Sequence, residues 1–190
     1  MIEPLDTRDV KAVAELHCAT LTGLLTQMGP RAVEAFYMGC VKSTLAIGLV
    51  YLEQSNIRGF VLGSPHPDRL KRDIFRQNPI GLLSALLAKP SSIVPLLESL
   101  GGPEEGHCDR RAPDLSYLSV AREVRGGGIG TKLVEAFSER MRIAEVDGYN
   151  LSVDEDNGAA IAFYEHLGFH VTGRYREFGI RRLRYRLFIA

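Results

Sequence analysis

Hydrophobic positions change their period more than once along this chain. Val10, Val13, Ala14, His17 and Leu21 share one helical face, and Asp6 stands where it can cap that helix. Gly29-Pro30 opens a second helix, in which Val33, Phe36, Tyr37, Cys40 and Val41 recur at i, i+3, i+4, i+7 and i+8. Leu45–Leu52 and Ile57–Leu62 then read as strands, with Gln54-Ser55-Asn56 between them as a hairpin turn. Leu115–Val120 and Tyr149–Val153 are further apolar strand runs. Between them Ile129, Leu133, Val134, Phe137 and Met141 mark a helix that Asp147-Gly148 closes. At the C-terminus Leu183, Tyr185 and Leu187 alternate with Arg182, Arg184 and Arg186. Val171, Gly173 and Tyr175 likewise alternate with Arg174 and Arg176. This predicts an antiparallel pair with one apolar face and one basic face, solvated in preference to binding an anion.

Composition narrows the class. The 190 residues carry 23 basic and 23 acidic side chains, so no global field recruits nucleic acid or an anionic membrane. Cys18, Cys40 and Cys108 are odd in number and far apart, which argues for a reducing compartment and against a zinc site. The N-terminus is acidic early and has no apolar signal core, and the apolar run Pro79 to Ala88 is too short to span a bilayer. The expectation is a soluble cytoplasmic protein without a metal.

The chemistry concentrates where Leu115-Ser116-Tyr117-Leu118-Ser119-Val120 runs into Arg125-Gly126-Gly127-Gly128-Ile129-Gly130. A strand, a glycine-dense turn and a helix start aim backbone N–H groups into one concavity at the positive end of a helix dipole, a place for polyphosphate. A Walker A loop fails, because Thr131 follows the last glycine and Lys132 comes one place late. A dinucleotide fingerprint is weakened, because Thr131 or Leu133 falls at the third glycine, although Asp154 lies at a tolerable distance. Arg-x-x-Gly-x-Gly fits in full through Arg125, Gly128 and Gly130.

After the next strand come Asn157, Ala160, Phe163-Tyr164 and Leu167-Gly168-Phe169. With the glycine turn before it, and with Ile57–Gly63 like the third strand of that fold, the sequence resembles the GNAT family of acetyl-CoA-dependent N-acetyltransferases. The likeness runs from about Leu45 to Gly63 and from Leu115 to Phe169. It implies an α/β fold: a mixed, mostly antiparallel, twisted sheet of six or seven strands flanked by helices, in a single domain over residues 1–190. It also implies that Arg125, Gly126, Gly127, Gly128, Ile129, Gly130 and Thr131 hold the CoA pyrophosphate. Leu118, Ser119 and Val120 would offer backbone groups to pantetheine from a fourth strand that bulges and splays from the fifth, although a plain central strand reads the same in its side chains. Asn157 is first a helix N-cap, and the resemblance adds a contact to the CoA arm. Tyr164 would protonate the departing thiolate, with a core aromatic as its alternative.

No base is singled out. Asp114, Tyr117, His107, Glu53 and Asp154 are all open, as is deprotonation through water. His166 and His170 do not form a metal pair, because Gly168 ends the helix between them. His107-Cys108-Asp109 is too local to make a site alone. In the family the third and fourth strands join by a short turn, whereas about fifty residues intervene here, more than a loop uses. Helical pieces over Asp68 to Leu100, broken by Pro90 and Pro95, precede a flexible exit at Gly101–Gly106. Their surplus of apolar residues predicts a lid over the acceptor or a homodimer surface, against a helical hairpin packed on its own domain. The expected activity is acetyl transfer from acetyl-CoA to an amine of a small molecule or peptide. A catalytically silent acyl-CoA-binding module and a Rossmann-type nucleotide enzyme are the alternatives.

Overall fold

The computed structural model describes residues 1–88, 111–177 and 179–189. Strand β1 (Ile2–Pro4) leads through a 3-10 turn (Thr7–Asp9) into α1 (Val10–Thr20). Asp6 and Asp9 close that start reciprocally, each side chain accepting from the other's end of the turn. Helices α2 (Leu24–Gln27) and α3 (Pro30–Lys42) follow. Gly29 at the N-cap and Pro30 at the first helical position start α3 where the sequence placed it. The hairpin β2 (Ile47–Glu53) and β3 (Asn56–Ser64) turns through Gln54 at φ 48° and Ser55 at φ 65°. That pair of positive φ values matches the twist of the two strands.

Helices α4 (Pro67–Gln77) and α5 (Pro79–Ala88) come next, and then, beyond the undescribed stretch, β4 (Asp114–Val120). The chain continues as α6 (Ile129–Ile143), β5 (Gly148–Asp154), α7 (Gly158–His166), β6 (His170–Glu177) and β7 (Ile180–Phe188). The seven strands form one sheet in the order β1-β2-β3-β4-β5-β7-β6. Every pairing is antiparallel except β4 with β5. A doubly wound parallel sheet, which a dinucleotide enzyme would need, is not what the strands build.

Both faces of the sheet are covered, so the central strands read as continuous apolar runs. Phe60, Leu62 and Val50 pack with Val13, Val33 and Tyr37 of α1 and α3. Val61, Leu49 and Leu151 face Leu133, Phe137 and Met141 of α6, together with Tyr164 and Phe169. The described part of the insertion packs on its own domain. Leu70 and Ile74 of α4 are buried in the α1–α3 cluster, Asp73 accepts from Ser43, and Asn78 Nδ2 donates to the Ala35 carbonyl at 3.0 Å. On α5, Ile80 and Leu83 are exposed. The expected pieces over Ile93–Leu100, the exit at Gly101–Gly106 and His107-Cys108-Asp109 lie outside the described residues.

Candidate active site

Strands β4 and β5 part almost as soon as they meet. Their one registered pair is Asp114 with Asn150, supported by the Asn150 N–H donating to the Pro113 carbonyl at 2.8 Å. Beyond it β4 pairs only with β3, so the edge of Leu115–Val120 that faces β5 has no ladder partner among the described residues. Leu62 pairs with Tyr117 and Gly63 with Leu115, which leaves Ser116 unmatched as a β-bulge. The bulged, splayed strand is therefore present, and the plain central strand is not.

At the far end of this slot the chain makes a 3-10 turn (Arg122–Val124) and enters the glycine turn. Gly126 at φ +82° and Gly128 at φ +77° are left-handed, a region that costs other residues energy. A Cβ added at either would meet nothing within 4 Å, so the space above them is open. Gly130 has a different reason: its Cβ would lie 3.1 Å from the Phe163 ring, so its bareness lets α6 and α7 approach. The first i→i−4 bond of α6 runs from the Lys132 N–H to the Gly128 carbonyl. The N–H groups before it are left facing the open turn. Ile129 is buried in the core, so only its backbone is available there. Arg125 is exposed, and its Nε–H donates at 3.0 Å to the carbonyl of Val120, the last residue of β4.

Asn157 caps α7, its Oδ1 accepting the Ala160 N–H at 3.1 Å. Tyr164 is 9% exposed and makes edge contacts with Phe163 and Phe169. Burial, with smaller effects from Tyr149 and Asp114, pushes its hydroxyl pKa well up. The phenol thus holds its proton across the neutral range, as a donor must. It is a core aromatic whose hydroxyl also feels the Asp114 charge.

The opposite face of the slot is lined by α1 and α3. Ser119 and Thr20 share a hydroxyl contact at 2.6 Å. His17 Nδ1 lies 2.8 Å from the Tyr37 hydroxyl, and its ring sits edge-on to Tyr117 with centroids 5.0 Å apart. Desolvation lowers the His17 pKa to about 4.

The basic face of β7 departs from expectation. Arg184 is 9% exposed; its Nη1 lies 2.8 Å from Asp114 Oδ1 and donates to Ser152 Oγ at 2.9 Å. Ser152 Oγ also accepts from the Tyr175 hydroxyl at 2.9 Å. Arg182 pairs with Asp154 at 3.2 Å and with Glu177 at 3.3 Å. Alternation located this face correctly but could not reveal that Arg182 and Arg184 are enclosed and paired. Arg174 is solvated as expected, at 76% side-chain exposure. Among the candidate bases, Glu53 is 49% exposed beside Arg58 at the tip of the hairpin, and Tyr117 is turned toward His17 and Phe36. His107 lies outside the described residues. No cluster of three His, Cys, Asp or Glu able to hold a metal occurs among the described residues, and no helix among them is long and apolar enough to cross a membrane.

Residues 99–171 match the family model described as Acetyltransferase (GNAT) domain. The chain is 40% identical over 55 residues to N-alpha-acetyltransferase 30 of Schizosaccharomyces pombe, covering 29% of this chain and 37% of that protein. It is 40% identical over 65 residues to the 5-NmdU N-acetyltransferase of Pseudomonas phage PaMx11, covering 33% of this chain and 44% of that one. The chain therefore spans less than half the length of these curated relatives. Its fold is similar to that of the ribosomal-protein-S18-alanine N-acetyltransferase of Escherichia coli. The TM-score is 0.64 at 15% identity, over 100% of this chain and 94% of that one.

Proposed function

We propose that this chain is an acetyltransferase of the GNAT kind and moves an acetyl group from acetyl-CoA to a primary amine, a reading supported by the match of residues 99–171 to the GNAT domain model and by the likeness of its fold to that of a solved N-acetyltransferase. The observation that carries this reading is the unpaired edge of β4, which ends in an open glycine turn. An edge of that kind pairs with amides as a strand would, and a helix start with free N–H groups holds phosphate. Each relative's printed name also describes acetyl transfer to nitrogen, which supports nitrogen as the acceptor atom.

In this reading the N–H groups around Gly126–Thr131 hold the donor's pyrophosphate, and Leu118, Ser119 and Val120 pair with pantetheine through their backbone. Arg125 Nε–H competes for the Val120 carbonyl and yields it to a pantetheine N–H. A β4 amide stabilises the oxyanion that forms as the amine attacks. The Tyr164 hydroxyl, kept protonated by burial, supplies the proton to the leaving sulfur.

Two measurements in sequence test this. Acetyl-CoA should raise the melting temperature where NAD and ATP do not, because it binds the native turn and not the unfolded chain. A panel of amines should then release free thiol. Stabilisation by NAD or ATP alone refutes the donor, and binding without thiol release from any amine makes the domain an acyl-CoA-binding module.

A further inference from the structure

The slot between β4 and β5 has a mouth, where the glycine turn stands, and a blind end, where Asp114 pairs with Asn150. Side chains fill that end from both faces of the sheet. Leu183 and Tyr185 face α6, so Arg184 between them takes the opposite face. There its Nη1 lies 2.8 Å from Asp114 Oδ1, and the two side chains are 11% and 18% exposed. Arg184 Nη1 also donates to Ser152 Oγ, which accepts from the Tyr175 hydroxyl, so β5 and β6 brace the guanidinium. On the α6 face Leu115 and Leu151 are buried in the core. Toward β3 the fit is tight enough that a methyl group at Gly63 would overlap the Asp114 carbonyl oxygen.

The length of the donor says how near its acyl group comes to this end. With the pyrophosphate at Gly126–Thr131, pantetheine starts beside Val120 and runs back along β4. Its main chain, from the first carbon to the sulfur, has as many atoms as about four peptide residues, an extended span of about 13–14 Å. Four residues back from Val120 is Ser116, the bulge residue. The thioester therefore arrives beside Ser116, whose Oγ donates to Asp114 Oδ2 at 3.3 Å. An acetyl methyl ends there. A longer acyl chain would have to part Asp114 from Arg184 and leave a buried charge without its partner, a heavier cost than lost packing.

Resting on the acetyl-transfer reading, we propose that the Asp114–Arg184 pair is a stop that limits the donor's acyl group to acetyl. Neither residue takes part in the bond changes in this role; together they set the length that the blind end accepts.

The test compares acetyl-, propionyl- and butyryl-CoA on the full chain, by kcat/KM with one amine that wild type turns over and by thermal shift. Wild type should lose about 10-fold or more for each added methylene. Asp114→Ala combined with Arg184→Leu removes both charges together, so neither is left unpaired, and shortens both side chains. It should narrow the acetyl-to-butyryl ratio by about 10-fold or more, whatever happens to the acetyl rate itself. Wild type that uses the three donors alike overturns the proposal, as does a folded double variant with the wild-type ratio. If the double variant does not fold, Arg184→Lys keeps the charge but withdraws the guanidinium fork. It should narrow the ratio in the same direction, and an unchanged ratio overturns the stop. Wild type that is stabilised by acetyl-CoA but releases no thiol with any amine fails the transfer reading alone. A thermal shift that shrinks from acetyl- to butyryl-CoA then still supports the stop, and equal shifts overturn it.

Discussion

Gly63→Ala places one methyl group where the bulge of β4 leaves no space for it. A Cβ at Gly63 would overlap the Asp114 carbonyl oxygen outright and lie 2.5 Å from Phe137 Cζ and 2.9 Å from Leu115 Cα. Two of these three neighbours are backbone, so no rotamer change relieves them. Phe137 is fully buried and cannot swing away. Overpacking of this kind costs about 1–3 kcal/mol, and the backbone clash argues for the upper end. Stiffening of the unfolded chain returns about 0.4–1 kcal/mol. The net is roughly 2–2.6 kcal/mol, which for a domain of this size lowers the melting temperature by about 4–10 °C. Gly173→Ala is the control: its Cβ would meet nothing within 4 Å and its φ is not left-handed, so it should shift stability by less than about 0.5 kcal/mol. Thermal melts of both variants by circular dichroism, with urea midpoints alongside, give the comparison. Any folded Gly63→Ala protein should also gain less thermal shift from acetyl-CoA, because the backbone that must yield belongs to the β4 bulge beside the slot. A melting temperature within 2 °C of wild type would show that the bulge yields freely, and the reasoning would fail.

Tyr164→Phe keeps the packing volume but removes the donor, so kcat should fall by about 10²–10⁴-fold while the acetyl-CoA-induced thermal shift stays near the wild-type value. Unchanged turnover across the pH range would return Tyr164 to a packing role. Gly128→Val forces a β-branched residue to φ +77° and fills the open turn, so the thermal shift with acetyl-CoA should vanish while a folded far-ultraviolet spectrum remains. For His17 the folded pKa of about 4 lies below the unfolded 6.5, so the unfolded chain binds more protons between those values. Stability should therefore be fully present above pH 6.5 and fall as the pH drops toward 4. The loss is roughly 3 kcal/mol, from the width of that window. His17→Gln should flatten this part of a urea-midpoint profile, and an unchanged slope would exclude His17 as its source.

Features set by a few neighbouring residues were legible from sequence alone. The turn at Gln54-Ser55, the Gly29-Pro30 helix start, the Asn157 cap and the glycine turn each depend on local backbone preference. The helical periods of α4 and α5 were visible for the same reason. Strand β1 was not, because three residues carry no usable alternation and pair only once β2 exists. The enclosure of Arg182 and Arg184 was illegible in a deeper way. Alternation says which face a side chain takes, but whether that face meets water depends on what the rest of the chain lays over it. Asp114 was one of five candidate bases, and its ion pair was not legible, because Arg184 comes from a strand 70 residues away in sequence. The bulge at Ser116 came only through resemblance, since any of several residues could have been left unpaired.

The parting of β4 from β5 bears on how the molecule avoids its own kind. A strand with unsatisfied amides invites another chain to dock along it, and such edges seed aggregates. Here an unsatisfied edge of β4, Leu115–Val120, lies in the middle of the sheet, with β5 beyond it and helices on both faces. The outer margins of the sheet are poorer templates. On one side β1 offers three residues. On the other, β6 carries the solvated Arg174 and Arg176 and is broken by an irregularity between Val171 and Gly173. The fold thus keeps this stretch of open backbone as an interior groove, and the margins of the sheet are short or charged among the described residues.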